Sequence, residues 1–172
     1  IVIKVGTNVM TNKDNRIVRP VLRGLVKQIA ELYERDIMTI LVSSGSVIAG
    51  REVLGESSIE NETQRRQVYS AIGQPRMMRL YYNIFHEYGM KCAQVLPTKR
   101  DFTAGVHREN MINCCEGLLS EGVVPIANED DAVSVTMSMF SDNDELASLI
   151  AQLINADKLI ILTDIDGLYD GH

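Results

Sequence analysis

The chain has no tryptophan, only three cysteines, three histidines and four prolines among its 172 residues, and each scarcity excludes something. Cys92 stands alone and Cys114 and Cys115 are adjacent. That pattern suits neither a disulfide framework nor a zinc site, and it points to a reducing, cytoplasmic setting. No run approaches the roughly 20 apolar residues that cross a bilayer, so no membrane partner is expected. Lys and Arg number 17 against 23 Asp and Glu, a formal charge of −6 that argues against nucleic acid. Neither a Gly-x-x-x-x-Gly-Lys loop nor a Gly-x-Gly-x-x-Gly fingerprint occurs. What remains is 45% hydrophobic with 12 Gly, the composition of one globular domain with a sizeable core. Ile1 already lies inside an apolar run and His172 closely follows one, so part of a longer protein is expected.

Five short apolar runs, at 1–5, 37–42, 92–96, 123–127 and 159–163, read as strands covered on both faces of a parallel sheet. Helical spacing separates them. Leu22, Leu25, Val26, Ile29 and Tyr33 follow it, as do Met111, Cys114, Cys115, Leu118 and Leu119, and again Leu146, Leu149, Ile150 and Leu153. These cysteines, and the eight methionines, are expected in the core. The stretch 67–86 reads as helix interrupted at Gly73-Gln74-Pro75. Its residues Leu80, Tyr81, Tyr82, Ile84 and Phe85 cover more than one face, which predicts a homo-oligomer contact. The whole reads as a three-layer αβα sandwich with a mainly parallel central sheet, with a small β-hairpin near 132–140.

Sites in such folds lie at the carboxyl ends of strands. The first strand ends in Lys4-Val5-Gly6-Thr7-Asn8, where a lysine in a buried strand must reach a partner or water. The second ends in Ser43-Ser44-Gly45-Ser46 before a helix, which makes either an anion cradle or a plain cap. The fourth leads to Asn128-Glu129-Asp130-Asp131, and Asp142-Asn143-Asp144 opens a later helix, where acidic residues normally serve as caps. The 163–167 segment superficially suggests a calcium loop, but a strand precedes it and no metal is expected there. His86 falls on the long helix and His107 in a polar loop, so no histidine base is indicated.

Taken together these segments resemble the amino acid kinase family, and within it the members that act on glutamate. The matching pieces are the 3–7 segment, 42–46 with Ala49-Gly50-Arg51, Ala71-Ile72-Gly73-Gln74, 124–133, Asp142-Asn143-Asp144, and Leu162-Thr163-Asp164 with Gly167-Leu168-Tyr169. They span the chain in the family's order, and only Asp130 departs, where relatives often carry Asn. The resemblance implies transfer of a phosphoryl group from ATP, with Mg2+, to the side-chain carboxylate of L-glutamate, a step toward proline. It implies Lys4 and Gly6 at the ATP phosphates, Asp144 orienting lysines, and Thr163 and Asp164 touching the nucleotide. Thr7, Ser44, Gly45, Asn128, Asp131, Asp142 and Asn143 would hold glutamate, with Asp131 on its ammonium. A glutamyl phosphate reductase would be a functional partner. Family members continue into a nucleotide-binding half, and many add a PUA-type domain; neither is expected within residues 1–172. Two alternatives stay open: a different acceptor, or a non-catalytic binding or oligomerising fragment.

Overall fold

Strands form as β1 (Val2–Val5), β2 (Ile40–Ser43), β3 (Lys91–Val95), β4 (Val123–Ala127) and β5 (Leu159–Leu162), all but β3 over runs rich in Val, Ile or Leu. The computed structural model describes residues 1–132, 142–165 and 167. Among the described residues all strand pairs are parallel and the order is β3-β4-β2-β1-β5. Val5 pairs with Ser43 and with Leu162, and Val42 pairs with Ala127, so the carboxyl ends of the inner strands share one rim.

Side chains alternate between two cores. Ile3, Val5, Leu41 and Ile126 face α2 (Arg19–Tyr33), α3 (Ser46–Leu54) and α4 (Glu62–Glu87). Val2, Ile40, Val42 and Ala127 face α5 (Val106–Ser120) and α6 (Asn143–Leu153). The expected three-layer αβα sandwich is therefore observed. A single-turn α1 (Thr7–Met10) follows β1. Double-sided burial holds for β1 and β2 but not for the outer strands: Lys91 and Gln94 on β3 and Ile160 and Ile161 on β5 are exposed.

Gly73-Gln74-Pro75, expected to end or kink the helix, does not end it: α4 is continuous across that point. A proline inside a helix costs about 3 kcal/mol. Beyond it α4 buries Met77, Tyr81, Ile84 and Phe85, each worth about 1.5–3 kcal/mol, so tertiary packing wins. Tyr81, Ile84 and Phe85 thus serve this domain's own core; of the residues expected at an oligomer contact, Tyr82 is the one that is plainly exposed.

Other expectations are corrected in the same way. Cys115 is buried but Cys114 is exposed, because one residue's step on a helix turns the side chain away from the sheet. Met10, Met77 and Met111 are core, whereas Met38 is exposed. His107 sits in the first turn of α5, 3.6 Å from Asp101, rather than in a loop. The hairpin expected near 132–140 falls almost wholly outside the described residues, as do Leu168 and Tyr169.

Candidate functional site

Adjacent strands β2 and β4 send their following helices to opposite faces of the sheet, α3 to one and α6 to the other. Such a divergence opens a crevice at the carboxyl rim. A cavity of about 320 Å³ lies there, lined by Thr7, Ser44, Gly45, Ser46, Val47, Ile48, Arg66, Asn128, Glu129, Asp131, Asp142 and Asn143. All seven residues expected to bind the acceptor are in that lining.

The β2–α3 turn is made possible by Gly45 at φ 99°, a left-handed conformation that side chains rarely adopt. A Cβ there would also meet Met10 Cε at 3.1 Å. Ser44 and Ser46 do not cap α3 through their side chains. They enter a polar network instead. Asn143 Nδ2 donates to Ser44 Oγ at 2.7 Å and to Asn128 Oδ1 at 3.0 Å. Asn128 Nδ2 donates to Gln74 Oε1 at 3.0 Å and to Ser46 Oγ at 3.4 Å. Ser70 Oγ donates to Ser46 Oγ at 3.2 Å, and Ser46 Oγ donates to Asp131 Oδ2 at 3.4 Å. The buried Asp131 carboxylate also pairs with Arg66 Nη2 at 3.1 Å. A buried network with its members satisfied holds its geometry tightly.

Beside the cavity, Lys4 projects from β1 toward the α6 face, the side its alternation with Val5 requires. Its Nζ lies 2.6 Å from Asp144 Oδ1 in the first turn of α6. Lys4 is 9% exposed, so this contact and the rim supply the partner that a buried ammonium needs. Asp142 is the N-cap of α6, accepting from the Asp144 and Glu145 N–H groups at 2.9 Å each, while also lining the cavity. Lys99, which the sequence reading passed over, reaches Glu145 at 3.1 Å on the same helix turn.

Gly6, Thr163 and Asp164 lie outside the cavity lining, where the ends of β1 and β5 meet. The Gly6 N–H donates to the Leu162 carbonyl at 3.1 Å, and Asp164 accepts from Asn8 Nδ2 at 3.0 Å. Gly6 has extended backbone that any residue adopts. What it leaves open is space, since a Cβ would sit 3.4 Å from Lys4 Nζ.

Ser46 was read only as part of an anion cradle or cap, and Arg66, Ser70 and Gln74 were missed as site residues. The last three recur at every fourth position of α4, one polar stripe on one helix face, and that spacing was available. Behind the site, Tyr81 shares a 2.7 Å hydrogen bond with Ser43, and burial raises its phenol well above the ordinary value.

Comparison with known proteins bears on this arrangement. The sequence profile described as "Amino acid kinase family" matches residues 1–172. The chain belongs to the amino acid kinase family. A glutamate 5-kinase of Bacteroides thetaiotaomicron is 43% identical over 171 residues, covering 99% of this chain and 48% of that protein. A glutamate 5-kinase of Chlorobaculum tepidum is 45% identical over 170 residues, covering 99% and 47%. The chain spans about half the length of the curated relatives it matches. Among solved structures, an isopentenyl phosphate kinase superposes with a TM-score of 0.65 at 21% identity, covering 98% of this chain and 73% of the other. A Giardia carbamate kinase does so with a TM-score of 0.63 at 19% identity, covering 95% and 74%. At those identities the likeness concerns the fold alone, and it is the family's fold.

Proposed function

We propose that this chain carries the acceptor-binding side of an enzyme that transfers the γ-phosphoryl group of ATP to the side-chain carboxylate of L-glutamate. The observation that supports this best is the cavity itself: a neutral hydroxyl and amide cradle, a buried carboxylate opposite, and a lysine at the rim.

Each part answers a requirement of the reaction. A carboxylate with a reference pKa of about 4.3 is already ionised at neutral pH, so no general base is needed. Among the described residues no histidine lines the cavity. The difficulty is to bring one anion to another and to stabilise charge on the phosphoryl group as it moves. Thr7, Ser44 and the Gly45 backbone receive the γ-carboxylate. Asn128, Asn143 and Asp131 hold the amino-acid end, with Asp131 on the ammonium. Lys4, oriented by Asp144, faces the phosphates, with Gly6, Thr163 and Asp164 on the nucleotide side.

Among the described residues no group of three His, Cys, Asp or Glu side chains converges as a metal site. Magnesium, where it accompanies ATP, would neutralise charge on the nucleotide phosphates. The relatives' remaining length would supply the rest of the nucleotide grip. No helix among the described residues is long and apolar enough to cross a membrane. The family resemblance is what supports a cytoplasmic homo-oligomer that feeds a glutamyl phosphate reductase.

The test is a coupled assay of ADP release with ATP, magnesium and a panel of acceptors. Turnover restricted to L-glutamate supports the proposal. Turnover with another acid and none with L-glutamate sinks it.

A further inference from the structure

Asp131 is 8% exposed, yet the cation that neutralises it belongs to Arg66, whose side chain is 55% exposed. Both line the same cavity. A buried carboxylate without a partner is strongly unfavourable, so some cation must stay on Asp131 at every stage. If Asp131 is to take the ligand's ammonium, as the acceptor assignment above requires, Arg66 must yield its place and then stands beside the cavity without a counterion. An α-amino acid brings the missing anion with it, because its carboxylate is one carbon from its ammonium.

We propose that Arg66 is a specificity-determining residue that trades Asp131 for the α-carboxylate of the incoming amino acid. The zwitterion inserts into the Arg66–Asp131 ion pair, giving an alternating chain of guanidinium, α-carboxylate, ammonium and Asp131 carboxylate. No charge is left bare before or after binding. The guanidinium fork suits a carboxylate better than an ammonium would. The surrounding structure allows the exchange. Arg66 is held by Asp131 at one end and has a side chain more than half exposed, whereas its neighbour Arg65 is tied to the Ile59 carbonyl at 3.0 Å. Gln67 Nε2 donates to the Ala132 carbonyl at 3.0 Å and so holds the Asp131 turn against α4 while the partners change. The pairing also predicts which analogues fail: an amino acid whose α-carboxylate is an amide keeps its ammonium and side-chain carboxylate but offers Arg66 nothing anionic.

The inference rests on glutamate being the acceptor, and calorimetric binding of L-glutamate and of its α-amide to wild type, Arg66→Gln and Arg66→Lys separates the two. Wild type should bind L-glutamate roughly 10- to 100-fold more tightly than the α-amide, the range for a hydrogen bond to a charged group. In Arg66→Gln that preference should collapse, glutamate losing its partner for the α-carboxylate while the α-amide, freed of competition for Asp131, does not weaken. Arg66→Lys keeps the charge but loses the fork, so it should show an intermediate preference, and it also covers the case in which Arg66→Gln does not fold. Equal weakening of both ligands would mean that Arg66 serves Asp131 alone, and it would overturn the inference; so would an undiminished preference in both variants. Wild type that binds neither ligand would overturn the acceptor assignment together with this proposal, an outcome distinct from the other two.

Discussion

A Cβ placed on Gly73 would fall 1.7 Å from the Ser46 carbonyl oxygen, and one on Gly50 would fall 1.8 Å from that of Tyr69. Helices α3 and α4 therefore cross backbone to backbone at two glycines. That crossing brings Ser70 to Ser46 and Gln74 to Asn128 across the helix boundary. Gly73→Ala must push the helices apart, and neither contact is with a flexible side-chain tip. Overpacking of this kind costs about 1–3 kcal/mol or more. Thermal and urea unfolding of the variant should show a loss of that size, with the glutamate affinity falling alongside because the polar network is built on the crossing. A variant as stable as wild type would contradict the close approach.

Lys4 and Asp144 should separate in their kinetics from the residues of the cavity. Losing one preorganised cation from a transferring phosphoryl group costs on the order of 10²–10³ in rate. Lys4→Met should therefore lower kcat by that factor with little change in the glutamate KM. Asp144→Asn should lower kcat less, since Lys4 survives but loses its 2.6 Å partner. Steady-state kinetics of the two variants would expose the error if the glutamate KM rose and kcat held.

The apolar runs made the sheet and its layers legible, and polar residues at strand ends marked the rim. The seven cavity residues were singled out by the resemblance to the amino acid kinases, since strand-end polarity alone fits a helix cap as well as a ligand cradle. Lys4 at the end of a buried strand is such a signal. The Gly45 turn is another, and both found partners in the fold. The course of α4 was not legible, because local preference at Pro75 opposed burial of Met77, Tyr81, Ile84 and Phe85, and only the fold decides that contest. Arg66 escaped for a related reason. An Arg-Arg pair near a helix start reads as solvated charge until Asp131, distant in sequence, is brought within 3.1 Å of Arg66.

Thiol chemistry offers an independent check on the two cores. Burial pushes the Cys92 and Cys115 thiols up to about 11 from an ordinary 9.0, whereas Cys114 is exposed. At pH 8 iodoacetamide should label Cys114 first, and peptide mass mapping would identify the modified residue. Well below pH 9 both of these shielded thiols are neutral in the folded and unfolded chain alike. Above it the unfolded chain loses those protons first, so stability should decline as pH rises from about 9 through 11. Tyr81, raised by burial, adds to the loss in the same direction. Urea midpoints across that range should fall; a flat profile would contradict the burial.

Asp131→Asn should raise the glutamate KM steeply, about 10- to 100-fold for a lost charge-assisted bond, and leave the ATP KM unchanged. The reverse pattern would move Asp131 to the nucleotide side.

The most direct test of the acceptor site asks whether Asp131 reads an ammonium. Calorimetry of wild-type protein with L-glutamate and with N-acetyl-L-glutamate, which keeps both carboxylates but has no ammonium, answers it in one comparison. Saturable single-site binding of L-glutamate, with the acetylated ligand weaker by at least about tenfold, is the predicted result for a buried anion that needs a cation. Equal or tighter binding of N-acetyl-L-glutamate would contradict the assignment of Asp131, and with it the orientation of the acceptor in the cavity.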